Sequence, residues 1–332
     1  MNVIQRPEAQ SFCATMRDYI IDTDSTIKFG VSYGGALILE EEYTPDKNFK
    51  VHIRKLGKFC ENALWGVWCA GETSYQNDAA GTFTFLINDV VDLQCFVMFS
   101  RLSTKKEAAA PGWLSEAREK VTRPNAFEYV SGVFETGQKA IVTVRTFDNA
   151  VSSADLYTHA GSKGVVTVDV SPGVIFAKFP TLPVDNIASY SVIKSSDSYK
   201  FFVDKSDYID FFVFRFKNVY DMPETLCTVG LMTVKPSNTS ENAYMYGVER
   251  VFAIKPNDEY TVNSGVFFLP TDYKLWHNMM NTQEAQIYFD GTWYPIVISK
   301  PNYERELRVG VIRNVEFTFR MADPDHNNII DL

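Results

Sequence analysis

Residues 315–320 alternate without a break: Val315, Phe317 and Phe319 fall on one side, Glu316, Thr318 and Arg320 on the other. A period of two marks a half-buried strand, because successive side chains leave a pleated strand on opposite faces. Strands are also predicted at residues 26–32, 82–87, 93–99, 165–170, 199–203, 211–216, 243–246 and 249–254, rich in β-branched and aromatic residues, and an apolar run begins at 36–39. Turn residues lie between them. Gly34-Gly35, Asn88-Asp89, Gly247 and Asp290-Gly291 each separate a pair of strand-like runs. Asp-Gly suits a two-residue turn that needs positive φ at both central positions. Thr136-Gly137 reads as another hairpin turn, joining residues 127–135 to 139–147. Pro295 lies inside the run 292–299, and a residue lacking an N–H belongs on an edge strand or at a bulge.

Helical spacing is sparse. Leu56, Phe59, Cys60 and Leu64 form one stripe within residues 53–64, and Thr271 is placed to cap a helix carrying Leu275, Trp276 and Met279 inward. Residues 115–121 suggest one further short turn of helix. Strands this numerous, with so few helices between them, exclude a parallel α/β fold. The expected class is mainly β: two β-sandwich or barrel-like modules with a few short helices. The first is expected over residues 1–158, with a long charged, Ala-rich loop at 101–112, and the second over residues 159–332. The join falls in residues 148–164, which are Ser-, Ala- and Gly-rich with little apolar period. The length of 332 residues suits two domains.

Composition sharpens the β reading. The chain has 25 Phe, 17 Tyr and 5 Trp, residue types that favour pleated, half-buried surfaces and, for Tyr and Trp, protein interfaces. The net charge of −9 and the lack of a dense Lys/Arg cluster argue against direct nucleic-acid contact. No apolar run reaches the ~18 residues of a membrane span, and the N-terminal residues lack a secretory pattern. Cys13, Cys60, Cys69, Cys95 and Cys227 lie among apolar neighbours, as expected of reduced thiols in a chain made in a cytosol.

Motifs that carry chemistry fail on context. Gly30-Val31-Ser32-Tyr33-Gly34 spells G-x-S-x-G, but a nucleophile elbow needs a strand-to-helix turn, and glycines in a β-turn are expected instead. Residues 132–139 (GVFETGQK) miss the phosphate-cradling spacing by the intervening Gln138. His52, His159, His277 and His326 stand too far apart for a local metal site, and Cys60 and Cys69 lack C-x-x-C spacing. Asp323, Asp325 and Asn327 alternate like calcium ligands but lack the glycine and the final glutamate of that loop. Asn238-Thr239-Ser240 spells a glycosylation sequon and is expected to be a plain loop. Glu40-Glu41-Glu42 reads as a solvated face. The expectation is a chain with no catalytic residue, no cofactor and no metal. Its candidate contact residues are Trp113, at the end of the 101–112 loop, and Asp290, Gly291, Trp293 and Tyr294 on the aromatic hairpin.

Four segments carry a resemblance. Residues 38–56 (ILEEEYTPDKNFKVHIRKL) follow an apolar strand with Glu-Glu, Tyr, Pro-Asp and a V-x-I strand. Residues 216–225 (FKNVYDMPET) are similar to an F-R-N-x-F-N-x-P-E-T stretch, departing at Lys217, Tyr220 and Asp221. Residues 259–265 (EYTVNSG) match E-Y-x-V-x-x-G, and residues 315–320 (VEFTFR) a closing strand. Together they resemble tail and baseplate structural proteins, of the distal-tail or tail-hub type, of Bacteroidetes phages and prophages. The resemblance implies a virion subunit, made in the bacterial host cytoplasm, that forms a homo-oligomeric ring and docks other tail proteins. It implies no catalytic residue. Two alternatives stand beside it. One is a carbohydrate- or receptor-binding module or adhesin, stacking sugars on Trp65, Trp68, Trp113 or Trp293. The other is a hydrolase built on Ser32.

Overall fold

A computed structural model describes residues 1–64, 74–76, 78–101, 112–237, 239–255, 257–269, 271–302 and 314–326. The expected loop at 101–112, Trp65, Trp68, Cys69, Asn238 and Asn327 lie wholly or largely outside these residues. The architecture is mainly β and sandwich-like, and the described residues form six sheets.

Two sheets enclose the first core. Strands Asn2–Gln5, Tyr19–Asp22 and Lys50–Ile53 form one. Strands Gln10–Phe12, Val90–Met98, Ala80–Ile87, Ile27–Tyr33 and Ala36–Tyr43 form the other, in that spatial order. Tyr19, Ile21, Val51 and Ile53 meet Phe29, Val31, Phe83 and Phe85 between them. Helix α1, Leu56–Ala63, closes one end with Leu56 and Cys60 buried and Leu64 buried just beyond it, as predicted, whereas Phe59, expected on the same stripe, is exposed. Cys13, Cys60, Cys95 and Cys227 are all free and buried. Burial pushes the first three thiols up, to about 11, about 12 and about 11, so all three stay protonated and packed as small hydrophobes.

The second core is larger. A five-stranded sheet orders Glu119–Thr122, Asp197–Val203, Ile187–Lys194, Lys139–Thr146 and Val151–Thr158. A seven-stranded sheet orders Pro223–Thr228, Phe212–Lys217, Ala285–Phe289, Thr292–Asn302, Glu316–Met321, Glu259–Asn263 and Met232–Lys235. Val142, Tyr190 and Phe201 from the first and Phe214, Phe317 and Phe319 from the second join one cluster. Helix α2, Pro172–Ala177, contributes Ile175 to it, and helix α3, Asp272–Met280, adds Leu275, Trp276 and Met279. Ser171-Pro172-Gly173 predicts the end of a strand, and the structure adds α2 at that point. Proline at the first helical turn is compatible with both outcomes.

A small sheet joins the two cores. Tyr129–Phe134 pairs with Gly164–Asp169, which pairs with Ser74–Tyr75. Its side chains alternate between two interiors: Val133 and Val165 face the first core, while Val130, Phe134, Val166 and Val168 face the second. That double burial explains the unbroken β-branched run at 165–168, which Asp169 ends.

Several expectations are corrected. Thr136-Gly137 is a turn, with Gly137 at φ 78°, but it makes no hairpin. Tyr129–Phe134 belongs to the small sheet, whereas Lys139–Thr146 pairs with Val151–Thr158 and Ile187–Lys194. The chain crosses there from one layer to the facing layer, and Phe134 packs in the same cluster as Ala140 and Val142. Residues 115–121 hold no helix; Glu119–Thr122 is a strand in parallel pairing with Asp197–Val203. Pro295 is on an interior strand, flanked by Ala285–Phe289 and Glu316–Met321, and the irregularity lies at Ile298/Lys300 instead. Its carbonyl accepts from Ala322 N–H at 2.9 Å. Because N and O of one strand residue point to the same side, its missing N–H faces the spot where the neighbouring strand has just ended. The join expected at 148–164 falls within the five-stranded sheet, where Val151–Thr158 and Ile187–Lys194 flank the same strand.

Candidate interaction surfaces

Trp113 is only 1% exposed. Its indole Nε1 donates to Val192 O at 3.1 Å, and its ring meets Phe134 edge-on at 6.1 Å. Lys194, also buried, lies over both rings and donates to Val133 O at 3.0 Å; burial pushes its amine below the ordinary lysine range. Trp113 is therefore a core residue, not a contact residue. Above this floor a cleft of about 520 Å³ is lined by Arg118, Gln138 and Asp197 among others. Asp197 Oδ2 accepts from Trp113 N–H at 2.7 Å, and Oδ1 lies 3.2 Å from Arg118 Nε.

The hairpin Ala285–Phe289/Thr292–Asn302 forms as predicted. Asp290 and Gly291 are exposed, with φ of 44° and 81°. Trp293 and Tyr294 are half-buried. Trp293 joins Phe127, at 5.7 Å between ring centres, and Tyr288, at 5.1 Å, and the Arg215 guanidinium caps it at 4.1 Å. Tyr294 meets the His326 ring at 5.1 Å. Three candidate residues thus share one surface through adjacency in sequence, with Tyr294 on the same strand, and Trp113 is apart from them. Phe211 packs in the same satellite cluster as Trp293. It also lines a neighbouring cleft of about 310 Å³ with Arg123, Asn125, Lys205, Ser206, Asp207 and Tyr208.

A third surface has no marker among the sequence motifs. Among the described residues, Thr239–Met245 and Val248–Lys255 pair only with each other. Tyr246-Gly247 forms the turn, with φ of 56° and 76°. Tyr244, Tyr246, Val248, Val251 and Phe252 are all more than half exposed, Tyr246 almost fully. An isolated two-stranded hairpin is marginal in water, and a contiguous exposed apolar patch marks an interaction site. The one legible signal is the lack of alternation. Residues 243–248 (AYMYGV) and 251–254 (VFAI) are apolar at both parities, so no face is marked as inward.

The remaining candidates are structural. Ser32 lies in strand Ile27–Tyr33, which turns at Gly34-Gly35 into strand Ala36–Tyr43, so no strand-to-helix elbow exists there. Residues 132–139 pass from strand to strand. Asp323 Oδ1 accepts from Asp325 N–H at 3.0 Å, closing a local turn. Among the described residues no three His, Cys, Asp or Glu side chains gather as metal ligands.

The segment 216–225 spells a buried clasp. Asn218 Oδ1 accepts from the N–H groups of Tyr220 and Met222, turning the chain at Asp221, φ 61°. Glu224 accepts from Ser115 Oγ at 2.6 Å and Asn218 Nδ2 at 3.2 Å, and burial raises its pKa. Thr225 and Lys120 both hold Glu128. These carboxylates are fully enclosed and bind three sheets together; neither lines a cleft described above.

No protein-family model matches this chain, and no curated protein matches it.

Proposed function

We propose that the chain is a structural subunit of a bacteriophage tail, tail hub or baseplate, assembling with copies of itself into a ring and docking other tail proteins. The observation that carries this reading is the hairpin Thr239–Lys255, an apolar arm with two unpaired edges and no cover from its own chain among the described residues. A subunit meant to remain alone gains nothing from such an arm, whereas an assembling one buries it against a neighbour. The four segments that resemble tail and baseplate proteins support the same reading, and so does a body whose buried charged residues serve packing. The role is mechanical, not catalytic, and its place is the virion, after synthesis in the host cytoplasm. Electron microscopy of the purified chain tests this: closed rings of uniform size are expected, and single particles of one subunit at all concentrations would overturn it.

A second reading is favoured by one observation. The Trp293 platform adjoins the cleft of Asn125, Ser206, Asp207 and Tyr208, which pairs aromatic faces with planar polar groups as a sugar site does. Under that reading the chain, or the ring, also binds a surface glycan. A glycan array decides it, with binding lost in Tyr208→Ala.

A further inference from the structure

We infer that the hairpin Thr239–Lys255 pairs, through its strand Thr239–Met245, with the free edge of strand Val151–Thr158 in a second copy of the chain. This rests on the self-assembly proposed above and names the surface that completes it.

The acceptor is selected by the condition of the sheet edges. Most edge strands are too short to add a partner stably: Gln10–Phe12, Asn2–Gln5, Lys50–Ile53, Glu119–Thr122 and Met232–Lys235 have three or four residues. Pro223–Thr228 is buried along its whole length. Ala36–Tyr43 has eight residues but carries three adjacent carboxylates, Glu40, Glu41 and Glu42. A run of charges is one of the devices that protect an edge. Val151–Thr158 also has eight residues, and although Leu156 is an extra residue opposite Ala140/Ile141, its stretch Val151–Asp155 runs in unbroken register. It has no proline and no lysine, and its one charge, Asp155, is neutralised by Lys139. No described strand pairs with its outer side.

The donor matches it. Thr239–Met245 has seven residues and one charge, Glu241, and the bulge in its hairpin falls on the other strand, at Phe252. Two long, weakly charged edges are thus left open on a chain whose net charge is −9. Copies repel one another elsewhere and can approach at these edges. A different patch on each partner makes the contact heterologous, the kind that closes into a ring. Pairing would give the marginal arm the third strand it needs.

The test uses the full chain with a benzoylphenylalanine photoprobe in place of Tyr244, which is 78% exposed and so tolerant of exchange. Isotopically heavy and light chains are mixed, irradiated and digested. The expected product is a heavy–light crosslink from position 244 to the peptide holding residues 151–158. The double variant Val151→Lys/Ser153→Lys, at two exposed positions, should weaken association at least about tenfold with an unchanged melting temperature. Rings that persist in this variant, with crosslinks to another region, would overturn the edge pairing and leave the ring reading intact. A chain that shows neither association nor heavy–light crosslinks would overturn both.

Discussion

The Arg215 guanidinium lies 4.1 Å from the centre of the Trp293 ring, and Arg215 also donates to Gln286 Oε1. One cation therefore ties the second strand of the aromatic hairpin to the first and to the neighbouring strand Phe212–Lys217. A cation held over indole contributes about 1 kcal/mol. A double-mutant cycle of Arg215→Met and Trp293→Leu, followed by urea denaturation, should return a coupling of about 1 kcal/mol. Additive single effects would mean that the stacking contributes nothing.

Burial raises the pKa of Glu224. The folded state then holds a proton that the unfolded state, titrating near about 4.3, has already released. The sign follows: this residue's contribution is fully present in acid and declines as pH rises through its folded pKa. Glu224→Gln removes that titration and keeps one acceptor oxygen, enough for Ser115 or Asn218 but not both, a loss that is the same at every pH. Its stability relative to the parent should improve on going from weak acid to neutral pH. Parallel denaturation midpoints that do not separate with pH would count against it.

Gly57 begins α1 against the turn Cys13–Thr15. A Cβ there would sit 1.8 Å from the Cys13 carbonyl oxygen and 3.3 Å from Met16 Cβ. The obstacle is backbone, which cannot rotate away, so Gly57→Ala should destabilise the fold by about 3 kcal/mol. Gly173→Ala is the control, since its Cβ meets nothing within 4 Å. Melting temperatures of the two variants provide the comparison.

The arm offers a protease target. Arg250 and Tyr244 sit on a hairpin exposed on both strands, and such segments open at low cost. Limited trypsin or chymotrypsin digestion of the dissociated subunit should cut first within residues 239–255. Assembled protein should resist at the same sites, and equal cleavage in both states would remove the arm from the interface.

Local chemistry makes the hairpins legible. Asp290-Gly291, Asn88-Asp89 and Tyr246-Gly247 all take positive φ at both positions, and the alternation at 315–320 maps directly onto buried Val315, Phe317 and Phe319. Partner choice is not legible. Thr136-Gly137 looks like the other turns, yet its flanking strands go to facing layers, because pairing is decided by residues far along the chain. Pro295 misleads for a related reason: its tolerance depends on where another strand stops, at Met321. Of the candidate contact residues, the hairpin set can be placed by adjacency. Trp113 cannot, because its exposure depends on Phe134 and Val192, which no local pattern links to it. The apolar arm reads as a hairpin, but exposure itself has no spelling beyond a missing period.

The first core contains more than the first sheets. Tyr220 and Met222 pack into it beside Phe12 and Phe99, and Arg101 N–H donates to Val219 O at 2.9 Å. A ribosome making this chain delivers those plugs more than a hundred residues after Phe99. The nascent N-terminal layers therefore wait with an open seam until the turn at Asn218 has left the exit tunnel, and a message truncated before that codon yields a vessel without its stopper.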